Sequence, residues 1–313
     1  MKKYAFGADI GGTTVKIGLF ETLGKLLDVW EIPTRTEENG KYILSDIAES
    51  IEIKMNKENI SKLDAEGIGM GVPGPVNPDG DVLKCVNLGW GIFNVEQEMT
   101  NLTGLKARAG NDANVAALGE MWQGGGRGYE NIVMVTLGTG VGGGIVIGGR
   151  ILPGIDGAAG EIGHIHIRDN EETCCGCGKK GCLEQYASAN GIVRMTQKYL
   201  EEQPDTASSL RAMEKYTAKE IFVEAEKGDK AALRMVDEVG ILLGKALASV
   251  SCVVNPEAFV IGGGMSKAGD ILIQTITKHY TEYAFHASAN TVFKLAQLSN
   301  RAGIYGAVRL VLE

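Results

Sequence analysis

Two stretches of the sequence share one pattern, in which a β-type run leads into a glycine-rich turn and a second β-type run follows. The first covers residues 4–20 and turns at Gly11-Gly12-Thr13, and the second covers residues 132–147 and turns at Gly138-Thr139-Gly140. Each pattern predicts a β-hairpin. Consecutive backbone N–H groups in such a turn can hold phosphate oxygens, because no Cβ blocks the approach. We therefore expect an α/β chain with one phosphate-binding hairpin in each half; a tight turn without a ligand is the alternative for the first.

Composition and charge exclude several classes of protein. The chain has 313 residues, 44% of them hydrophobic, which is enough for one large or two medium domains with real cores. A net charge of −8 gives no overall attraction for nucleic acid. The start of the sequence has too few apolar residues for a signal peptide, and no run is long enough to span a bilayer. The sequence predicts a soluble cytoplasmic protein that binds neither nucleic acid nor a membrane.

A third glycine cluster lies between a β-type run at residues 258–261 and a predicted helix at residues 266–285. A nucleotide base or ribose can lie against the flat backbone of Gly262, Gly263 and Gly264, and an ordinary strand-to-helix turn is the alternative. Gly138-x-Gly140-x-x-Gly143 matches the dinucleotide fingerprint, but that fingerprint requires a following helix. The residues that follow are β-like, so the sequence does not support an oxidoreductase that binds a dinucleotide. No P-loop motif is present.

Four of the six cysteines lie close together, at residues 174, 175, 177 and 182. Cys175, Cys177 and Cys182 place three thiols on a short glycine-rich knuckle, and His164 is the nearest upstream candidate for a fourth ligand. Three sulfurs and an imidazole complete a closed tetrahedral zinc site, which is structural because it leaves no open coordination position. Cys174 is an alternative to Cys175, and disulfides are disfavoured without a signal peptide.

Several polar side chains flank these motifs. A bound metal would bring Glu161 and Glu184 to one spot with His164, where fixed acceptors can recognise the hydroxyl groups of a polyhydroxylated substrate. Asp112 follows Asn111 at the start of a predicted helix, where either residue is a candidate N-cap. Asp112 is also our candidate general base, since phosphoryl transfer to an alcohol calls for a carboxylate that accepts the hydroxyl proton.

Together these motifs closely resemble the ROK family of sugar kinases and repressors over essentially the whole chain. The matching segments are Asp9-Ile10-Gly11-Gly12-Thr13, the Gly-x-Pro-Gly segment at 71–74, Asn111-Asp112, residues 137–142, Glu161-x-Gly163-His164, Cys175 to Glu184, and Gly262-Gly263-Gly264. The resemblance implies an actin-like, hexokinase-type ATPase fold with two domains around a cleft. We expect a small domain of residues 1–110 and 301–313 and a large domain of residues 111–300.

The resemblance also implies roles. Asp112 is expected to deprotonate the sugar O6 hydroxyl, and the other hydroxyls are expected to contact Asn87, Asn111, Glu161, His164 and Glu184. One ring nitrogen of His164 would bind Zn²⁺ and the other would face the sugar. Asp9 would position Mg²⁺ with ATP, and the phosphates would lie between the turns at 11–13 and 138–140. A homodimer or homotetramer is expected.

Asn87-Leu88-Gly89-Trp90 resembles the Asn-Leu-x-Trp segment of the glucose-phosphorylating members of the family, which favours glucose as substrate. Mannose, fructose and an N-acetylated hexosamine remain alternatives, as does polyphosphate in place of ATP. A sugar-responsive repressor is disfavoured, because such members carry a DNA-binding winged helix before the Asp-x-Gly-Gly-Thr turn and here the turn begins at residue 9. A sugar-binding module without catalysis is disfavoured by the presence of Asp112.

Overall fold

Residues 4–33, which contain the first glycine turn, form three antiparallel strands in the computed structural model, which describes residues 2–313. Two further strands lie parallel to the first, which gives a five-stranded sheet of order β3-β2-β1-β4-β7. Its strands are β1 Tyr4–Ile10, β2 Thr14–Glu21, β3 Leu26–Pro33, β4 Ala65–Val72 and β7 Ala107–Asn111. The short strands β5 Asp81–Val82 and β6 Phe93–Asn94 pair with each other. The parallel strands β1, β4 and β7 end at one edge of the sheet.

The two faces of this sheet are covered by different helices. Helices Ile43–Lys57 and Val95–Thr103 share an apolar core with one face, to which Phe6, Ala8 and Ile10 contribute. The other face packs on helix Ala302–Leu312. Glycines allow that helix to lie against the strands, since a Cβ at Gly69 would be 1.7 Å from the Ala307 carbonyl oxygen.

A second group of strands contains the second glycine turn. Strands β9 Val141–Ile147, β8 Ile132–Leu137, β11 Ala258–Gly262 and β12 Val292–Leu295 neighbour one another in that order. The end of β9 pairs with β10 Arg150–Ile151. The accompanying helices are Glu184–Ala187, Ala189–Glu202, Ala218–Glu226, Lys230–Val254 and Asp270–Tyr283. The presence of parallel pairing and of covering helices agrees with the predicted α/β class.

The chain forms two compact units. Among the described residues, the first contains residues 2–132, 144–160 and 297–313, and the second contains residues 133–143 and 161–296. These units differ from the predicted domains, which divide the chain at residue 110. Helix Asp112–Gln123 lies in the first unit because it packs closely on helix Ala302–Leu312: a Cβ at Gly119 would be 2.2 Å from the Ala302 carbonyl oxygen. The predicted pair of domains remains a prediction.

Most predicted elements are present, with shifted ends. Strand β3 was not predicted, and the predicted helix at 266–285 is an α-helix only over Asp270–Tyr283. His164 lies in a single 3₁₀ turn, Ile162–His164, and the backbone of His166 forms an isolated β-bridge with Cys182. Within residues 2–313 the helices are too short or too polar to cross a bilayer.

Candidate active site and metal centre

The first glycine turn is held in place by a residue that lies outside both predicted hairpins. The N–H of Gly11 donates to the Thr14 carbonyl at 3.0 Å, which closes the turn. Thr34, which follows β3, donates its backbone N–H to the Thr13 carbonyl and its hydroxyl to the Gly11 carbonyl, at 2.9 and 2.7 Å. Within the described chain, nothing lies within 4 Å of where a Cβ would be at Gly12. The backbone is therefore open at the position where the sequence predicts phosphate.

Asp9 and Asp112 come together beside this turn. Asp9 is at the end of β1, and its partner in β4 is Gly71. Asp112 comes directly after β7, at the first position of helix Asp112–Gln123. A Cβ at Gly71 would lie 3.4 Å from the Asp9 Oδ1 atom and 3.8 Å from the Asp112 Cα atom, so both acids border this residue. Two of the predicted site residues are thus neighbours at the carboxyl edge of the sheet.

A residue that the sequence analysis did not select closes the other side of Asp9. A Cβ at Gly303 would lie 2.4 Å from the Asp9 carboxylate, so a larger residue there would force this carboxylate to move. Gly303 is in the first turn of helix Ala302–Leu312, whose N-terminal end favours negative charge. Nothing near residue 303 in the sequence signals this contact, because the two residues are separated by almost the whole chain.

The environment of the Asp9 carboxyl group disfavours its ionised form. Burial and, second to it, the negative charge of Asp112 raise the pKa of Asp9 to about 6, and Lys16 opposes both effects. Lys16 is the cross-strand partner of Asp9, and its Nζ donates to the Asn300 carbonyl at 3.0 Å and lies 3.4 Å from the Glu31 carboxylate. Two carboxyl groups close together in a half-buried site fit a divalent cation, which prefers oxygen ligands. The donor set therefore fits the predicted Mg²⁺.

Asn111, one of the two N-cap candidates predicted from the sequence, is the N-cap of helix Asp112–Gln123. Its Oδ1 atom accepts from the backbone N–H groups of Ala113 and Asn114, at 3.0 and 3.2 Å. Its Nδ2 atom lies 3.4 Å from the Gly74 carbonyl oxygen, in the segment after β4. The side chain of Asp112 also accepts from the Ala113 N–H, at 2.8 Å. Asn87 is exposed in the 3₁₀ turn Val86–Leu88, so its amide is available to a ligand.

In the second unit, two glycine clusters pack against each other. The Gly138 N–H donates to the Gly140 carbonyl at 2.9 Å, and Thr139 is exposed at the tip of the turn. Gly263 has φ of +83°, and a Cβ there would be 2.4 Å from the Leu137 carbonyl oxygen. Gly262 is buried at the end of β11, whereas Gly263 and Gly264 are exposed. The predicted phosphate turn and the predicted nucleotide glycines therefore form one surface.

The four predicted metal ligands form a cluster. The candidate ligand atoms of His164, Cys175, Cys177 and Cys182 all lie within 4.8 Å of one another. The Cys177 and Cys182 sulfurs are 3.6 Å apart, and the Cys175 sulfur is 3.7 Å from the His164 Nδ1 atom. Tetrahedral zinc with Zn–S bonds of ~2.3 Å places its sulfurs about 3.8 Å apart, so the cluster has the dimensions of a zinc site. Cys174 is exposed and outside the cluster, which favours Cys175 as the ligand.

Glu184 and the Glu161-x-Gly163-His164 turn meet at Val141, which follows the second glycine turn. The Glu184 Oε2 atom accepts from the Val141 N–H at 3.0 Å, and its Oε1 atom is 3.5 Å from the Cys175 sulfur. A Cβ at Gly163 would lie 2.0 Å from the Val141 carbonyl oxygen, which explains the glycine in this motif. Glu161 is exposed one residue before the 3₁₀ turn. The Nδ1 atom of His164 faces the cluster, which leaves its Nε2 atom for another partner.

A polar network that the sequence analysis missed supports the knuckle. Glu171 accepts hydrogen bonds from the Tyr186 hydroxyl, from Thr173 and from Arg194. Burial opposes ionisation of Glu171, but these donors together hold its pKa far below the usual range. Gln185 accepts from the Cys182 N–H at 3.1 Å and donates to the Thr173 carbonyl at 3.0 Å, so it ties the two arms of the metal loop together.

The structure therefore brings the predicted site residues together in two groups. Asp9, the first glycine turn, Asn87, Asn111 and Asp112 belong to the first unit. The second and third glycine clusters, Glu161, Glu184 and the cysteine knuckle with His164 belong to the second unit. The predicted meeting of Asp112 with the knuckle concerns residues of different units and stays a prediction.

Comparison with known proteins gives consistent matches over the whole chain. It is 43% identical to a glucokinase of Halalkalibacterium halodurans, over 99% of this chain and 96% of that protein. It is 36% identical to a glucokinase of Thermotoga maritima, over 98% and 96%. The crystal structure of a ROK family glucokinase from Streptomyces griseus, in complex with glucose and AMPPNP, has a TM-score of 0.73 and 31% identity, with 98% of each chain covered.

These matches confirm the predicted α/β class and the hexokinase-type, actin-like fold. The family model for the ROK family matches residues 5–313. The chain belongs to the ROK family.

Proposed function

We propose that the chain is a glucokinase, which transfers the terminal phosphoryl group of ATP to the O6 hydroxyl of glucose. The observation that carries this proposal is the placement of Asp112 beside Asp9 and an open glycine turn, at the carboxyl edge of a sheet. The identity of 43% to one glucokinase and 36% to another supports glucose as the acceptor. The complex of a 31% identical relative with glucose and AMPPNP supports ATP as the donor.

Asp112 is the proposed general base. Its helix position fixes the backbone, and its Oδ1 atom accepts from the Ala113 N–H, which orients the carboxylate. In this proposal the Asp112 carboxylate accepts the proton as the sugar O6 attacks phosphorus. A general base of this kind contributes about 10²- to 10⁴-fold to the rate. The side chain is half-buried, so it stays accessible to a hydroxyl group.

The glycine turns are the proposed phosphate contacts. Backbone N–H groups of Gly11, Gly12 and Thr13 would bind phosphate oxygens, and Gly138, Thr139 and Gly140 would do so from the second unit. The surface of Gly262, Gly263 and Gly264 would carry the nucleoside. Asp9 would hold Mg²⁺, which neutralises charge on the phosphates when bound. These groups hold the donor in place and stabilise the charge that develops on the transferred group.

Hydroxyl recognition is assigned to the remaining polar side chains. We propose that Asn87, Asn111, Glu161, His164 and Glu184 contact the sugar. The predicted dual role of His164 is supported by its ring orientation, with Nδ1 towards the cysteine sulfurs and Nε2 on the other side. A zinc ion bound to Cys175, Cys177, Cys182 and His164 would fix the tautomer and the direction of that ring. Such an ion would be structural, because four protein ligands would leave it no open coordination position.

The substrate is tested with a coupled assay of ADP release against glucose, mannose, fructose and the N-acetylated hexosamines, with polyphosphate as an alternative donor. We expect the highest kcat/KM with glucose and ATP. If only another hexose is phosphorylated, that hexose is the substrate. If sugar binds without turnover, the chain is a sugar-binding module or a repressor. Asp112→Asn should lower kcat at least ~10²-fold with sugar binding retained. The exposed Asp205→Asn is the matched control, and near-normal turnover of Asp112→Asn would reject the general base.

The metal is tested by analysis of the purified protein, where we expect about one zinc per chain. Cys177→Ser should lose the metal and lower both stability and glucose affinity, since binding free energy of a structural zinc contributes to folding. Cys174→Ser is the matched control, because Cys174 precedes Cys175 in the chain but is not one of the four residues of the cluster. Full activity of zinc-free protein would contradict a structural role.

We also propose a cytoplasmic homodimer or homotetramer, as the family resemblance implies. Light scattering on the eluted protein distinguishes these assemblies, and a monomer would contradict both.

A further inference from the structure

Three successive residues of the first unit have left-handed backbone conformations. Glu38, Asn39 and Gly40 have φ of 51°, 60° and 67°. A left-handed conformation is unfavourable for most residues with a Cβ, and asparagine tolerates it better than glutamate does, so Glu38 persists there only where the surrounding structure holds it. The turn they form is named here the left-handed turn. It has no part in the site described above, so its conformation needs another explanation.

The left-handed turn packs on the segment that contains Asn87. The indole N–H of Trp90 donates to the Gly40 carbonyl at 3.0 Å, in a buried position. A Cβ at Gly40 would lie 2.5 Å from the Leu88 carbonyl oxygen, and a Cβ at Gly89 would lie 2.8 Å from the Asn39 Cα atom. The two backbones therefore touch through glycine on both sides, which fixes how closely the segments approach.

The segment itself is a closed loop with Asn87 at its exposed tip. Cys85 and Trp90 exchange both backbone hydrogen bonds, at 3.1 and 3.0 Å. Leu88 is fully buried, whereas Val86 and Asn87 are exposed. Trp90 is 6% exposed and packs edge-on against Phe93. Because Leu88 and Trp90 anchor the base of the loop, any shift of Gly40 moves the base and with it the amide of Asn87.

A cavity borders the same contact. It has a volume of about 580 Å³ and is lined by Asn39, Gly40, Leu44 and Trp90, among others. This free space gives the left-handed turn room to move when its contact with residues 88–90 is changed. A substitution at the contact is therefore expected to displace the loop while the first unit remains folded.

We propose that the left-handed turn is a positioning element for sugar recognition, which holds the Asn87 amide at the substrate through the contacts of Gly40 with Leu88 and Trp90. Gly40 and Trp90 are positioning residues, since they act through Asn87. This inference rests on the proposed function in taking Asn87 as a sugar contact. It adds that glucose affinity depends on residues 38–40, which belong to none of the recognised motifs.

The test compares Gly40→Ala and Trp90→Phe with the wild type in steady-state kinetics. Gly40→Ala places a methyl group against the Leu88 carbonyl, and Trp90→Phe removes the hydrogen bond. Each should raise the KM for glucose about tenfold, while kcat and the KM for ATP change less than about twofold. Gly104→Ala is the matched control, because Gly104 has the same conformation, with φ of 69°, and the nearest atom to its Cβ position is Lys62 Nζ at 3.6 Å.

A double-mutant cycle separates positioning from a general loss of stability. If Trp90 acts through Asn87, then Asn87→Ala with Trp90→Phe should have the same KM as Asn87→Ala alone, because coupled residues are not additive. Additive effects, or a Gly40→Ala variant that behaves like Gly104→Ala, would overturn the proposal. If Gly40→Ala does not fold, Trp90→Phe and the cycle still decide. A wild type that phosphorylates no hexose would refute the proposed function itself, whereas an active wild type with unaffected variants refutes only the positioning role.

Discussion

The buried side chain of Glu120 binds the backbone at residues 297–298, where the chain re-enters the first unit after the second. Glu120 is fully buried in helix Asp112–Gln123. Its Oε2 atom accepts from the N–H groups of Gly125 and Gln297, at 2.7 and 2.9 Å, and its Oε1 atom accepts from the Leu298 N–H at 2.8 Å. The segment at 297–298 leads directly into helix Ala302–Leu312. Replacing Glu120 by alanine removes all three acceptor contacts at once.

The magnitude follows from counting the donors that lose their partner. Each buried donor left without an acceptor costs about 1–3 kcal/mol, so three donors give about 3–9 kcal/mol. Water can enter the space that the side chain leaves and satisfy part of this demand, which favours the lower half of that range. We expect Glu120→Ala to lower the free energy of unfolding by about 3–5 kcal/mol. Glu120→Gln keeps one oxygen and the side-chain volume, so its loss should be about 1–3 kcal/mol.

Tryptophan fluorescence during urea unfolding measures this effect on the first unit alone. The three tryptophans, Trp30, Trp90 and Trp122, all belong to that unit. A lower midpoint with an unchanged slope reports a loss of stability without a change in the unfolded state. The exposed Glu49→Ala is the control and should change the free energy by less than about 0.5 kcal/mol. A Glu120→Ala variant within about 1 kcal/mol of the wild type would refute the reasoning from unsatisfied donors.

Two further predictions concern the second unit. Tyr186→Phe removes one donor to Glu171 and should cost about 1–3 kcal/mol at neutral pH. The folded-state pKa of Glu171 is depressed, so its contribution is present above the unfolded value of 4.5 and is lost as the pH falls below it. The difference between the wild type and Tyr186→Phe, measured by chemical unfolding, should therefore shrink on acidification; a constant difference would contradict this. Gly163→Ala should cost about 1–3 kcal/mol and weaken zinc retention, because its Cβ would lie 2.0 Å from the Val141 carbonyl oxygen. Retention equal to that of Gly176→Ala, whose Cβ position has no described atom within 4 Å, would count against it.

Local patterns predicted the parts of the site that depend on neighbouring residues. Both glycine hairpins were predicted because a turn and its two strands are continuous in sequence. The knuckle was predicted because Cys175, Cys177 and Cys182 are close in the chain, and one histidine completed the set. The capping by Asn111 followed from its residue type at the start of a helix.

Contacts between distant segments were not predictable in this way. Strand β3 was missed because its buried and exposed residues do not alternate regularly, and its pairing with β2 stabilises it. Gly303 was missed because its reason for being glycine is the Asp9 carboxylate, which lies at the other end of the sequence. Asn39-Gly40 is a dipeptide typical of turns, but the contact of the left-handed turn with residues 88–90 joins segments that are distant in sequence and was therefore missed.

The contact between the sheet and helix Ala302–Leu312 has a consequence for biosynthesis. Gly7 and Gly69 lie against the backbone of this helix. The apolar side chains on this face of the sheet are therefore packed only when the helix is present. During translation β1 leaves the ribosome early, and the helix that completes its packing is made only after the entire second unit. The first unit is therefore expected to finish folding after the second, although its strands are synthesised first. A nascent chain arrested before residue 302 should expose this face to chaperones.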